Sequence, residues 1–238
     1  MKKAIIIGAS SGIGKELSRV LSDRGVTVGI AARRLQVLEE LRDELPNAAV
    51  VKEIDVTKPE SAMSALSELI NEMGGVDLVV FSSGIGDINK QLSWQLESEC
   101  IATNVIGFTA IANVAIKHFL DEKSGHFVGI SSVAALRGGK EAPAYNASKA
   151  FVSNYMEGLR QKITESKYPI TITDIKPGFV DTKMAKGEGL FWVASADKAA
   201  EQIYQAIMKK KSYTYVTKRW RLVGWLLKAL PETIYNRL

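Results

Sequence analysis

Ala4-Ile5-Ile6-Ile7-Gly8-Ala9-Ser10-Ser11-Gly12-Ile13-Gly14-Lys15-Glu16-Leu17 is the stretch that decides the fold of this chain. Ala4–Ile7 is an apolar run that reads as a strand buried in a parallel sheet. Gly8 ends it, and Ile13, Leu17, Val20 and Leu21 then recur at helical spacing. A strand, a glycine turn and a helix in that order are the context of a phosphate-binding loop. Glycines let the backbone approach a pyrophosphate, and the helix N-terminus offers free N–H groups with a partial positive charge. The spacing is Gly-x-x-x-Gly-x-Gly rather than the commoner Gly-x-Gly-x-x-Gly. A tight turn without a ligand is the competing reading of these residues alone.

Outward from this unit, strands and helices alternate. Strands are predicted over Ala4–Ile7, Val26–Ala32, Ala49–Ile54, Leu78–Phe81, Gly125–Ile130, Ile170–Ile175 and Tyr213–Val216. Helices are predicted over Ile13–Arg24, Leu35–Leu45, Pro59–Glu72, Gln91–Leu120, Ala144–Glu165 and Ala196–Lys209. The alternation implies an α/β, single-domain, Rossmann-type doubly wound fold, with a mostly parallel seven-stranded sheet and helices on both faces. Ligand is expected at the carboxyl ends of the strands. Residues 1–217 read as the dinucleotide-binding and catalytic domain, and 218–238 as an amphipathic C-terminal extension.

Tyr145 and Lys149 stand four apart in Ala144-Tyr-Asn-Ala-Ser-Lys-Ala150, with Ser132 upstream in Gly129-Ile-Ser-Ser-Val133. On a helix such a pair shares a face. A phenol with an ordinary pKa of about 10 is a poor acid or base near neutrality, and a fixed neighbouring cation moves it toward working pH. The pair alone is common on solvated helices. Beside a dinucleotide-type loop it points to acid/base chemistry.

Taken together, residues 3–185 resemble the short-chain dehydrogenase/reductase family. Gly8-x-x-x-Gly12-x-Gly14 matches its cofactor loop, and Asp55-Val56 matches the adenine-contact pair after the third strand. Asn104 in Ile101-Ala-Thr-Asn-Val-Ile-Gly107 matches its helix asparagine, and Ser132, Tyr145 and Lys149 match its catalytic residues. Pro177-Gly178, with Val180 and Thr182 following, matches the segment that touches the nicotinamide end. Two positions depart from the family pattern. Ile7 replaces the usual threonine before the first glycine, and Phe81-Ser82-Ser83-Gly84 replaces the usual Asn-Asn-Ala-Gly. In relatives those places support one another across neighbouring strands.

The resemblance implies hydride transfer between a nicotinamide cofactor and a carbonyl or alcohol. Ser132 would hold the substrate oxygen, and Tyr145 would act as general acid/base. Lys149 would lower the Tyr145 pKa and bond the nicotinamide ribose, and Asn104 would hold a relay water. Candidate cofactor contacts are Gly8, Ser10, Ser11, Gly12, Ile13, Gly14, Arg33, Arg34, Asp55, Val56, Ser83, Gly84, Tyr145, Lys149, Pro177, Gly178, Val180 and Thr182. The second strand ends at Ala32 and is followed by Arg33-Arg34. An NAD-selective site places a carboxylate at that strand end for the ribose 2′-hydroxyl. Here nothing repels a 2′-phosphate and Arg33 can bind one, so NADP(H) is favoured, with NAD(H) the alternative. A non-catalytic NADP(H)-binding regulator or scaffold is the competing function. It would keep the loop but lose the acid/base group.

Composition narrows the remainder. One cysteine, Cys100, precludes an internal disulfide and reads as a packed small hydrophobe in a reducing compartment. Two histidines, His118 and His126, and no Cys/His cluster argue against a metal site. The net charge of +5 is spread along the chain and gives nucleic-acid binding little support. No leader and no membrane-spanning window is evident, so a cytoplasmic location is expected. Phe179–Val193 combines glycines, charge and large apolar side chains, which suits a lid over an apolar substrate.

In the tail, Trp220, Val223, Leu226, Leu227 and Leu230 recur near helical spacing, with Arg219, Arg221 and Lys228 interspersed and Pro231 as the stop. Such a helix suits a membrane surface, the substrate cleft or a second subunit. The resemblance implies a homodimer or homotetramer paired through the helices at Gln91–Leu120 and Ala144–Glu165. Ala110, Ala112, Ala115, Phe151, Tyr155 and Leu159 are then available to a partner or to the sheet.

Overall fold

The structure, a computed structural model, describes residues 1–182, 184 and 190–236. Its sheet is formed by β1 (Lys3–Ile7), β2 (Thr27–Ala32), β3 (Ala49–Glu53), β4 (Leu78–Phe81), β5 (Gly125–Ile130), β6 (Ile170–Pro177) and β7 (Tyr213–Val216). The seven strands run in the order β3-β2-β1-β4-β5-β6-β7, and every neighbouring pair is parallel. The order reverses between β1 and β4, so a crevice opens at their carboxyl ends.

Alternation along the strands divides the core between two faces. Ala4 and Ile6 of β1 join Leu17, Leu21, Leu38 and Leu41 from α1 (Gly12–Asp23) and α2 (Leu35–Glu44). Ala199 and Ile203 from α7 (Ala196–Met208) complete this layer. Ile5 and Ile7 face the other layer, with Leu66 and Leu69 of α3 (Pro59–Glu72) and Ile111 of α5 (Phe108–Asp121). Val152 and Met156 of α6 (Pro143–Ser166) lie there too. Phe108 anchors this layer edge-on to Phe81 at 5.2 Å and to Tyr155 at 5.9 Å between ring centroids.

The helix predicted over Gln91–Leu120 is not continuous. It starts as α4 (Trp94–Ile101), widens into a π-helical turn over Ala102–Gly107, and resumes as α5. π turns accommodate one extra residue and often mark functional positions; this one carries Asn104. The run Trp94–Asp121 is long and apolar enough by composition to cross a membrane, which the sequence reading did not single out. Its most apolar window is 56% buried inside the protein, and Phe108, Ile111, Ala112, Ala115 and Phe119 belong to the core.

Four of the six side chains offered for subunit contact are buried within the chain: Ala110, Ala112, Ala115 and Leu159. Phe151 and Tyr155 stack on each other and pack against the core. The tail forms α8 (Trp220–Ala229) and, beyond Pro231, the short α9 (Glu232–Tyr235).

Candidate active site

The elements that carry the predicted residues converge on one cavity of about 840 Å³ at the carboxyl ends of the strands. One end is the glycine loop. Gly8 has φ of +93°, and a Cβ there would stand 2.5 Å from the Ser83 nitrogen. Only glycine lets the β1 and β4 exits lie this close. Gly14 is tighter still, its Cβ position 2.3 Å from the Gly8 carbonyl oxygen. Helix α1 opens with no side-chain cap, so its first N–H groups are available to an anion.

The two departures from the family pattern are direct neighbours. Ile7 pairs with Phe81 across the sheet, and the Ser82 nitrogen donates to the Ile7 carbonyl at 2.8 Å. Ser82, Ser83 and Gly84 line the cavity beside Gly8, Ser10, Ser11, Gly12 and Ile13. Arg33, Arg34 and Val56 line the same end, where Arg34 donates to the Ser10 hydroxyl at 2.9 Å. Asp55 does not reach the wall. Its Oδ1 accepts from the Thr57 N–H at 3.0 Å and hydroxyl at 2.7 Å. Burial alone would raise this carboxyl, but the Thr57 bonds and the Arg33 charge hold it below its ordinary value. Thr57, which the sequence reading passed over, takes the place on the wall.

The centre of the cavity holds Ser132, Tyr145 and Lys149. Ser132 leaves β5 extended and caps a short 3₁₀ turn, Val133–Leu136, by accepting from the Ala134 N–H at 3.1 Å. Asn146 donates to the Ala134 and Arg137 carbonyls at 3.1 and 2.9 Å, which ties that turn to the first turn of α6 and so holds Ser132 beside Tyr145. The two hydroxyls share a hydrogen bond. Lys149 is buried one turn on; its Nζ donates to the Ile130 carbonyl at 3.0 Å and lies 5.8 Å from the Tyr145 ring centroid.

The expected downward pull of Lys149 on Tyr145 is not what this arrangement gives. Burial pushes the Tyr145 phenol above its ordinary value, against the Ser132 bond that lowers it. Burial brings the Lys149 ammonium down to about 8, opposed by Cys100 and Asp174. Lys149 spends its nearest hydrogen bond on a backbone carbonyl, and desolvation of the phenol dominates.

Asn104 sits one layer behind the wall, 1% exposed. Its amide closes both hydrogen bonds with Ile85, accepting from the N–H at 2.9 Å and donating to the carbonyl at 2.8 Å. The same amide nitrogen reaches Ser148 Oγ at 2.9 Å, and Ser148 Oγ donates to the Tyr145 carbonyl at 2.8 Å. The π turn therefore secures the loop after β4 to the Tyr145 helix. Cys100 packs against this amide at 3.3 Å. His126 lies away from the cavity, its Nε2 2.7 Å from the Thr173 hydroxyl between strands.

The far end of the cavity is apolar: Ile85, Ile88, Val133, Phe179, Met184, Trp220 and Leu227 line it. Pro177, Gly178, Val180 and Thr182 also line the cavity, Thr182 lying against Gly12 of the glycine loop. Of the lid read from the sequence, residues 183 and 185–189 lie outside the described residues. The tail reaches this end. Arg137 donates to the Leu230 carbonyl at 3.0 Å, its guanidinium lies 4.3 Å from the Tyr235 ring centroid, and the Tyr235 hydroxyl donates to the Gly138 carbonyl.

Comparison with known proteins agrees with this geometry. The sequence model of the short chain dehydrogenase family matches residues 2–190. The chain belongs to that family of oxidoreductases. It is 40% identical over 244 residues to an uncharacterized oxidoreductase of Myxococcus xanthus, covering 99% of this chain and 95% of the relative. It is 35% identical over 247 residues to one of Mycobacterium tuberculosis, covering 99% and 96%. Among solved structures, a short-chain dehydrogenase from Sphingobium yanoikuyae in complex with NADPH superposes with a TM-score of 0.81 at 22% identity, over 98% of this chain and 97% of that one. A short-chain dehydrogenase/reductase from Burkholderia phymatum in complex with NAD gives 0.85 at 20%, over 94% and 92%.

Proposed function

We propose that this protein reduces an apolar carbonyl compound with NADPH, Tyr145 being the proton donor. The observation that carries this reading is the meeting of Ser132, Tyr145 and Lys149 midway between a glycine-lined, cationic end and an apolar end of one cavity.

The residues present suit a nicotinamide dinucleotide. Gly8 and Gly12 line the cavity against the uncapped N-terminus of α1 and leave room for a pyrophosphate, while Gly14 lets α1 close onto the Gly8 carbonyl. Arg33 and Arg34 line the cavity after β2 and would meet an adenosine 2′-phosphate, and Asp87 is the one acidic side chain on the cavity wall among the described residues. This charge balance supports NADP(H) over NAD(H). When bound, the nicotinamide supplies a hydride to the substrate carbonyl carbon or accepts it back.

The side chains do the rest. The Ser132 hydroxyl bonds the substrate oxygen and orients it toward Tyr145. The Tyr145 phenol, kept protonated by burial, gives its proton to that oxygen as the alcohol forms. Lys149, with a pKa near 8, is poised to return a proton to the phenolate. Asn104 positions the Ile85 loop rather than meeting substrate. The apolar wall of Ile88, Phe179, Met184, Trp220 and Leu227 excludes water and selects a hydrophobic substrate body.

The test is NADPH oxidation, with NADH in parallel, against aldehydes, ketones and quinones of increasing size, using Tyr145→Phe as blank. Turnover that prefers NADPH and vanishes in the variant supports the reading. Tight NADPH binding without Tyr145-dependent turnover on any of these would favour the cofactor-binding regulator instead.

A further inference from the structure

Helix α8 is apolar on two sides. Its inner side is accounted for: Trp220 and Gly224 are buried, Trp220 and Leu227 line the cavity, and the Gly224 backbone packs on Tyr215. The outer side is not. Leu222, Trp225 and Leu226 stand 68%, 73% and 53% exposed, and their spacing of three and four residues puts them on one face. Leu226, grouped by sequence periodicity with the residues that turn inward, belongs to this outer face. The helix is held in this orientation by the buried Trp220 ring and by the Arg137 bond to Leu230. Rotating it to hide the outer face would expose the inner one.

The segment before α7 extends the patch. Phe191, Trp192 and Val193 are exposed; Phe191 stacks on Trp220 at 5.0 Å, and the Arg219 guanidinium lies 5.5 Å from the Trp192 ring centroid. Along α8 itself the charge has one sign, whereas Asp181, Asp197 and Glu201 lie near Phe191–Val193 and Glu232 follows the helix. From Gln202 to Pro231 the sequence carries Lys209, Lys210, Lys211, Lys218, Arg219, Arg221 and Lys228, and no Asp or Glu. None of the four cations on or beside α8 forms an ion pair among the described residues.

We propose that the outer face of α8, together with Phe191–Val193, docks this protein onto a lipid bilayer that carries anionic headgroups. Tryptophan, leucine and phenylalanine on one side, flanked by arginine and lysine, are the composition of a helix lying in the membrane interface. There the apolar side chains reach about 5–10 Å below the headgroups and the cations meet the phosphates. The single sign of charge on α8 chooses this occupant over a second copy of the chain paired through that helix. A two-fold pairing on this face would set Arg221 and Lys228 of one copy against the same cations of the other, with no carboxylate between them. Docking places the tail-covered end of the cavity, lined by Trp220 and Leu227, beside the acyl region. Access of an apolar substrate from the bilayer is the part of the proposal that rests on the carbonyl-reductase reading; docking itself does not.

The test is flotation of the full chain with vesicles of phosphatidylglycerol mixed with phosphatidylcholine, compared with phosphatidylcholine alone. Wild-type protein is expected to float with the anionic vesicles at low salt and to be released at high salt. Trp225→Ser combined with Leu226→Ser, and separately Arg221→Glu combined with Lys228→Glu, should each weaken partitioning about tenfold or more. Because these side chains are exposed, melting temperatures should be unchanged. No flotation of wild type at low salt, equal flotation with neutral vesicles, or wild-type flotation by both variants overturns the proposal. So does sedimentation showing a wild-type dimer that Trp225→Ser dissociates, which would assign the face to a second copy. No readout requires turnover, so a missing substrate leaves the result intact.

Discussion

The Tyr145 ring lies directly against Gly86: a Cβ at Gly86 would fall 2.3 Å from Tyr145 Cδ2. The loop after β4 is thus the surface on which the phenol rests, and Asn104 holds that loop through its two bonds to Ile85. Gly86→Ala should displace the ring while leaving the cofactor end untouched. A displacement of this size is expected to lower kcat by about ten- to a hundredfold. NADPH affinity, read by fluorescence titration, should change little. Unchanged kcat would show that the ring is not held by this contact.

The pH profile follows from burial of both groups. Tyr145 is raised and Lys149 lowered to about 8, so both carry their protons at neutrality. Carbonyl reduction should be flat through neutral pH and fall as pH rises past about 8, where Lys149 loses the proton it returns to Tyr145. A reductive rate that rises across that range would refute the relay.

Lys149 also costs stability. Its folded pKa of about 8 lies below the ordinary 10.5, so the unfolded chain holds a proton that the folded chain releases between those values. Stability from this group therefore rises with pH across that window and is lowest below pH 8. Lys149→Met should be inactive yet more stable at pH 7 by about 2 kcal/mol, after allowance for the lost bond to Ile130. The gain should disappear above pH 10.5. Urea unfolding of both proteins at several pH values checks the sign.

Arg33 borders the cavity beside Ala32, at the β2 exit. Arg33→Ala should raise the KM for NADPH about tenfold or more, the range of a lost charge-assisted bond, and leave the KM for NADH nearly unchanged. Ala32→Asp should add repulsion and move preference toward NADH. Equal losses with both cofactors would place the 2′-phosphate elsewhere.

Asp174, 1% exposed, collects the Ser131 and Ser153 hydroxyls and the Lys176 ammonium beneath α6. Asp174→Ala leaves Lys176, its side chain 11% exposed, without a counterion, and should cost about 3–5 kcal/mol. The same variant combined with Lys176→Met should recover much of this in urea unfolding. No recovery would mean that the serine bonds, not the ion pair, carry the stability.

The apolar strands, the glycine loop and the Tyr145/Lys149 spacing were readable because each is a local pattern with a fixed period. The layer behind them was not. The π turn at Ala102–Gly107 carries Asn104, whose partner Ile85 lies nineteen residues away in sequence. Gly86 carries no local signature, since its need for a missing side chain is set by a ring that arrives with α6. Asp55 matches a cofactor contact by family resemblance, and its bonds through Oδ1 to Thr57 have no sequence signature. Periodicity found one apolar stripe on α8 where the structure has two, because Leu226 and Leu227 are adjacent in sequence and point to opposite surroundings.

Arg137, on the loop before α6, bonds the Leu230 carbonyl and meets the Tyr235 ring; under the proposed function, that link separates the chemistry from the choice of substrate. The proton-handling groups come from β5 and α6, whereas Trp220, Leu227 and Tyr235 on the far wall come from a segment that begins after β7, the last strand. Replacing residues 218–236 with the counterpart from a relative, keeping an arginine at 137 as the latch and a tryptophan at 220 against Gly178, is expected to change specificity while Ser132, Tyr145 and Lys149 stay in place.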